Sequence, residues 1–448
     1  MSLRTRREVL ARGAAAVGGL ALPRLVAAAG AGATTPRLPP IGSDPIAPIP
    51  RPGSKSPGLS APSYIDPFHR TPVFRITSAE DMPDASFVRH DYSRRQAFNG
   101  DNSRFVAKSS NGYWLLYDGA TFLVLRRGGH GGSLRGMAGD AEAIWHPTDP
   151  RKLCYTGNSG SLVWYEKDVE SDHDTVMVDF RGRLPWPKAT AVWTKGEGVP
   201  SANGRFWGLM ATSYDESTKK VSIHGLLCYD RQEDRIVGTL DAARFDHAMP
   251  DHVSMSPSGR WVVPSWAFIK RLGTRAYTPD FSTSVQLHSQ SEHSDLAIGP
   301  DGDDMYVVAD YDSGQIRAVR LATAASFDLM PLYPARGSSY AAHISGKAYD
   351  RPGWVVVSTY ADSAGHGKLQ PDPVLQPMHR RVMLVELRRG GRQLGIAHTR
   401  TGARYGGYQG EPQATISRDG SRVVFASNFD DGGGPNSYLV TVPGWAER

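Results

Sequence analysis

The chain has 448 residues, with 51 basic against 45 acidic side chains and a formal net charge of +6. Residues 1–33 alone carry +4 of that charge, leaving about +2 for the remainder, so the basic balance is no footprint for a nucleic acid and that partner class is excluded. Glycine (48) and proline (32) are abundant and no apolar stripe of period 3.6 follows residue 30, which points to many short strands and turns rather than helices.

The N-terminal stretch "TRREVLARGAAAVGGLAL" sets an arginine pair, Arg6 and Arg7, before an apolar run and small residues ending near Ala33. That is the layout of a twin-arginine export signal, and it predicts a periplasmic or secreted protein. The run is well short of the roughly 20 residues of a membrane span, and Pro23-Arg24 interrupts it, so no span is expected after signal removal. Residues 34–62 are rich in proline and poor in large apolar side chains. They read as an extended linker, and the N-terminal extension is placed at 34–85.

From residue 86 one hairpin recurs. Its copies begin at Tyr92, Glu142, Glu197, Asp251, His293, His343 and Glu411, seven in all. Each has a short strand, a polar turn such as "SPSGR" or "SRDGS", and a β-branched or aromatic return strand. A multi-strand unit repeating every 40 to 50 residues is the mark of a β-propeller, because a lone four-stranded blade cannot bury both faces and a ring of blades can. The expected fold is therefore all-β, a seven-bladed β-propeller over 86–448, with the stretches 166–196 and 361–379 as loops on one face. Cys154 and Cys228 sit in apolar strand-like runs and read as buried small side chains, or as a disulfide in an exported chain.

The turns "SPSGRWVV", "GPDGDDMYVV" and "SRDGSRVVF" resemble the Ser-Pro-Asp-Gly turn of WD40-like repeats in exported seven-bladed propellers. The periplasmic propeller of the Tol system and the oligogalacturonate lyases have such repeats. The resemblance runs over roughly residues 86–443.

Aligning the copies on the turn and stepping back four residues gives Arg95, Glu142, Glu197, His252, Asp295, His343 and Gln413, every one polar. His293 and Glu411 lie two residues further out. In a propeller these inner-strand entrances converge on one end of the channel. One reading is that each side chain ties a neighbouring turn. The other is a functional centre, since desolvated charges are costly unless paired or bound to a metal.

Histidine is the commonest metal ligand, and His252, His293, His343 and Gln413 lie on four successive copies. Oligogalacturonate lyases hold a divalent ion on His and Gln at the centre of such a ring. The resemblance therefore implies a divalent metal (Mn, Ca or Zn), a glycan substrate and β-elimination on a uronic acid. That reaction needs a base for the C5 proton and a cation for the carboxylate. His252 or His343 would be the base and Arg95 the neutraliser, with Glu142, Glu197, Asp295 and Glu411 as substrate contacts. Tyr92 or Tyr340 would protonate the leaving oxygen. Glu142 with Glu197 would instead suit a glycoside hydrolase, and a non-catalytic glycan- or protein-binding propeller is the remaining alternative. Trp266 and Trp354 are candidates for sugar stacking, and "GGHGG" at 128–132 has no phosphate-cradle context. A monomer is expected.

Overall fold

The computed structural model describes residues 36–41, 49–125, 134–157, 160–267, 269, 271–335, 338–360, 375–402, 407–429 and 431–445. The stretch 1–33 read as an export signal, the "GGHGG" stretch at 128–132 and residues 361–374 of the second insert lie outside them. Among the described residues regular structure is almost wholly β; the exceptions there are two 3-10 turns, Ala79–Asp81 and Ala242–Phe245, and one helical turn, Gly407–Gly410.

Five separate four-stranded antiparallel sheets succeed one another along the chain. They span residues 144–179, 191–241, 252–288, 294–331 and 342–398, and in each the strands pair in sequence order. An eight-stranded sheet combines the first and the last strands of the described residues. In it Thr415–Ile416, Arg422–Ser427 and Asn436–Thr441 pair in order, and Pro72–Arg75 then Tyr64–Ile65 add to the outer edge. Its other part is Val88–Arg89, Arg104–Ser109 and Trp114–Asp118, joined to the first through the parallel pair Asn436↔Val88.

The hairpins turn where the sequence says they should. Gly204, Gly259, Gly302, Gly353 and Gly420 fall at one place in successive turns, all with φ between 71° and 87°. That left-handed region is open to glycine at no steric cost. The first copy uses Asn102 there, with φ 60°, an amide side chain that tolerates the same region.

The core lies between sheets rather than within them. Trp114 and Leu116 pack on Trp145 and Leu153, and Trp164 and Val178 on Trp207 and Leu209. Met210 and Cys228 meet Val253 and Trp266, and Val263 meets Leu296 and Val308. Val307 meets Val357 and Met383, and Val356 and Ile396 meet Val423 and Phe425. A further cluster, Phe74, Val424 and Leu439 against Phe105, Leu115 and Tyr117, joins the last repeat to the first. The sheets thus close into a ring, as expected of a propeller. Each fully buried Val, Leu or Phe in these seams contributes about 1.5–3 kcal/mol.

Several expectations need correcting. The N-terminal extension placed at 34–85 supplies two strands, Tyr64–Ile65 and Pro72–Arg75: the second is hydrogen-bonded to Asn436–Thr441, and Val73 and Phe74 are buried between sheets. Residues 39–41 also run along the edge of the 342–398 sheet, where Gly395 donates to the Pro39 carbonyl at 2.8 Å and Ile41 to that of Gln393 at 3.1 Å. The first insert is no mere loop, since His173–Asp179 is the outer strand of its sheet. Trp266 is wholly buried with its indole N–H on the Ala248 carbonyl, and Trp354 packs on Trp445; neither is a sugar platform. Cys154 and Cys228 are free thiols in different sheets, and burial pushes both up to about 12.

Candidate functional site

A cavity of about 690 Å³ is lined by Arg89, Tyr92, Lys108, Lys195, Glu197 and Tyr408, among others. Tyr92 leads from it to the histidines: its ring lies 5.5 Å from that of His343, which lies 4.3 Å from His293 and 5.0 Å from Tyr360. Glu197 leads from the same cavity to Arg94, at 3.0 Å, and Arg94 donates to Nε2 of His252.

The hydrogen bonds assign the imidazole protons. Nδ1 of His293 is 3.0 Å from the Ala342 carbonyl. A carbonyl only accepts, so Nδ1 carries the hydrogen and Nε2 keeps its lone pair. A guanidinium only donates, so Nε2 of His252 is an acceptor already engaged by Arg94. Its Nδ1 faces Asp251 at 3.5 Å and Glu197 at 3.8 Å. His343 is buried, and neither of its ring nitrogens has a hydrogen-bond partner. Its Nε2 stands 3.1 Å from Oε2 of Glu411, which has none either.

Burial decides the charge states here. It holds His343 well below the usual imidazole range, reinforced by His293 and Arg89. It lowers His293 and His252 as well, with Arg94 adding to both. It pushes the carboxyl of Glu411 up to about 7, and it raises the Tyr92 hydroxyl well above its ordinary value, helped by Glu197. The centre therefore presents neutral imidazoles, a protonated phenol and two deeply buried cations, Arg94 and Arg89.

Gln413 is held hard. It is fully buried with φ 40°, a left-handed conformation that is strained for a non-glycine residue. Arg89 donates to its side-chain oxygen, and Nε2 of His90 donates to its main-chain carbonyl at 2.7 Å. Ser437 fills the other nitrogen of His90 at 3.1 Å, and burial pushes that ring down to about 3.

The ring of sequence-aligned residues splits in two. His252, His343, Gln413 and Glu197, with His293 and Glu411, converge as described. Arg95, Glu142 and Asp295 instead hold backbone. The carboxylate of Glu142 accepts from Thr194 N at 3.0 Å, Thr194 Oγ1 at 2.7 Å and Gly196 N at 2.5 Å. Arg95 donates twice to the Gly196 carbonyl, at 2.9 and 2.6 Å. Asp295 takes Gly346 N and Lys347 Nζ, both at 2.7 Å. Thus Arg95 and Glu142 build the loop that presents Glu197, and the tie-a-neighbouring-turn reading holds for these three. Tyr340 is also away from the centre, accepting from Met378 N at 3.2 Å beside His379.

Sequence reasoning missed Arg94, Arg89, His90, Tyr360 and Tyr408. Arg94 was one residue away: it and Arg95 lie in the same turn and both are buried, but Arg94 meets Glu197 and His252 whereas Arg95 meets the Gly196 carbonyl. Arg89 and His90 precede the repeat, where no alignment reaches.

His343 and Glu411 fit a divalent cation. Their facing donors are buried and unmatched, and ligands at right angles around an octahedral ion also lie about 3 Å apart. His293 is adjacent. His252 does not join them, its acceptor being taken by Arg94, and the side-chain oxygen of Gln413 is held by Arg89. A second group, Asp66, His69 and His398, has its donors within 4.8 Å of one another. There Arg381 donates to His69 Nε2 at 3.0 Å and Arg400 stands 3.8 Å from Asp66, a setting hostile to a cation. Asp66 accepts from the main chain of both His69 and His398, at 3.0 Å, and so pins the N-terminal segment to the 342–398 sheet.

No family model matches the chain, and no curated protein matches its sequence. Among solved structures it is similar to an oligogalacturonate lyase from Vibrio parahaemolyticus, with TM-score 0.55 and 14% identity over 85% of this chain and 96% of that one. It is similar also to an oligogalacturonate lyase in complex with manganese, with TM-score 0.54 and 16% identity over 85% of this chain and 95% of that one. The shared fold is a β-propeller. At such identity the likeness carries the fold alone.

Proposed function

We propose that the protein is a lyase that cleaves a uronic-acid-containing oligosaccharide by β-elimination, on a seven-bladed ring in which the eight-stranded sheet counts as two blades. The observation that supports this is the meeting, beside one cavity, of buried Arg94 with imidazoles that burial keeps neutral. Arg94 grips the carbonyls of Ser294 at 2.6 Å and Glu292 at 3.4 Å, on either side of His293. A sugar carboxylate bound to Arg94 is therefore set beside Nε2 of His293.

His293 then removes the proton from C5, the carbon bearing the carboxylate. The C5–H electron pair becomes the C4=C5 double bond as the C4–O4 bond breaks. The leaving oxygen takes the proton of Tyr92, whose hydroxyl is kept protonated by burial and Glu197. Return of a proton from His293 to Tyr92 resets the pair. In this reading His252 positions Arg94, and His343 and Glu411 would hold a divalent ion that neutralises the same carboxylate. The segment at 1–33 belongs to the proposal as the export signal.

The glycoside-hydrolase alternative is disfavoured, because Glu142 is buried and engaged on both oxygens. The test is incubation of the purified protein with a panel of uronic-acid oligosaccharides, with and without divalent metal, read as new ultraviolet absorbance from the unsaturated product. Activity lost in His293→Gln with folding intact is expected. Glycan binding without any product from the panel would replace the lyase with a binding module.

A further inference from the structure

Arg94 is buried, 5% exposed, and nearly all its donors are spent inside the protein. Nε goes to the Ser294 carbonyl, Nη2 to Ser294 Oγ at 2.9 Å and to Glu292 O, and Nη1 to His252. What remains of Nη1 faces Oε2 of Glu197 at 3.0 Å. Glu197 is the exposed member of that pair, its side chain 31% accessible against 6% for Arg94. It lines the 690 Å³ cavity, so it sits where a solute entering the cavity would meet the arginine.

Glu197 is also held differently from the other carboxylates of the ring. Glu142 and Asp295 each accept backbone N–H bonds. The contacts of Glu197 are charge contacts, the ion pair with Arg94 and the 3.8 Å approach to His252. Its backbone is fixed. Lys195 and Gly196 take left-handed φ of 64° and 89°, Glu142 and Arg95 clamp Gly196, and a side chain at Gly198 would run into the Val253 carbonyl. A rigid loop thus delivers a lightly held carboxylate to a rigidly held guanidinium.

We propose that Glu197 is a placeholder for the ligand's carboxylate: it satisfies Arg94 in the empty site and is displaced when an acidic sugar binds. A buried guanidinium without a partner is costly, so the empty protein needs a counter-charge there. One that is half-exposed and lacks backbone hydrogen bonds can leave. The arrangement also discriminates, because a neutral sugar offers Arg94 nothing to replace Glu197 with, whereas a uronate replaces one carboxylate by another. Glu197 thereby sets specificity for acidic over neutral sugars. The inference rests on the acidic-sugar reading of the site and not on turnover.

The experiment measures calorimetric binding of D-galacturonate, with D-galactose as the uncharged control, to the wild type, Glu197→Gln and Arg94→Met. Removing the competing charge while keeping the shape should tighten galacturonate binding about fivefold, the worth of one partly exposed ion pair. Galactose binding should not change in either variant, and Arg94→Met should lose measurable galacturonate binding. Glu197→Gln should also melt below the wild type alone and recover more than the wild type with galacturonate. Weaker or unchanged galacturonate binding in Glu197→Gln overturns the proposal, as does failure of both wild type and variant to bind it. A tightening without any lyase product leaves this inference standing and removes the lyase. Lyase turnover with weakened binding in Glu197→Gln does the reverse.

Discussion

The histidines of the centre differ in what binds them, and that sorts their roles. His90 has both nitrogens filled, by the Gln413 carbonyl and Ser437, and its pKa is about 3 against an ordinary 6.5. The fold therefore favours its neutral form. The resulting stability is complete above pH 6.5 and is lost as pH falls toward 3, where the unfolded chain takes a proton the folded chain refuses. Between pH 7 and 4 the wild type is expected to lose about 3 kcal/mol more than His90→Gln, by denaturant titration at each pH. Parallel curves would show that His90 carries no such linkage. Glu142 is tested by a different split. Glu142→Ala strands Thr194 N and Gly196 N, and a cost of about 1–3 kcal/mol is expected. A variant of unchanged melting temperature that has lost turnover would return Glu142 to the chemistry.

At the level of elements, the N-terminal strand Pro72–Arg75 is the piece that the hairpin repeat does not contain. It pairs with Asn436–Thr441 and puts Phe74 into the seam between the last repeat and the first. Phe74 is 2% exposed, so Phe74→Ala should cost about 3–5 kcal/mol. Ile65→Ala, at a site 46% exposed on the neighbouring strand, should stay within about 0.5 kcal/mol. Urea unfolding of both variants checks the contrast. Equal and small effects would mean that the strand decorates the ring without closing it.

For the whole molecule, ring closure places donors from different sheets face to face. His343 enters the 342–398 sheet and Glu411 precedes Thr415–Ile416, so an ion between them would fasten two neighbouring sheets. Divalent metal is accordingly expected to raise the melting temperature of the entire ring. At a hundredfold excess over Kd the gain is about 2.7 kcal/mol, reversed by chelator. His343→Gln and Glu411→Gln should each lose that response. A metal-dependent shift that survives both variants would place the ion elsewhere.

The sequence by itself determined the repeat, the turn glycines and the all-β class, because each depends on local chemistry. A left-handed turn position and period-two burial are written in a dozen residues. It also brought out His252, His343 and Gln413 from one alignment column, and His293 and Glu411 two residues outside it. Tertiary structure alone decided which polar members of that column meet at the centre and which hold backbone. Glu142 and Glu197 are equivalent in the repeat, yet one is consumed by the backbone of the next sheet and the other lines a cavity. Only closure of the ring sets Arg94 against His252, 158 residues away, and Arg89 against Gln413, 324 away. Contacts at such separations follow from how whole sheets pack, and no stretch of local sequence encodes them.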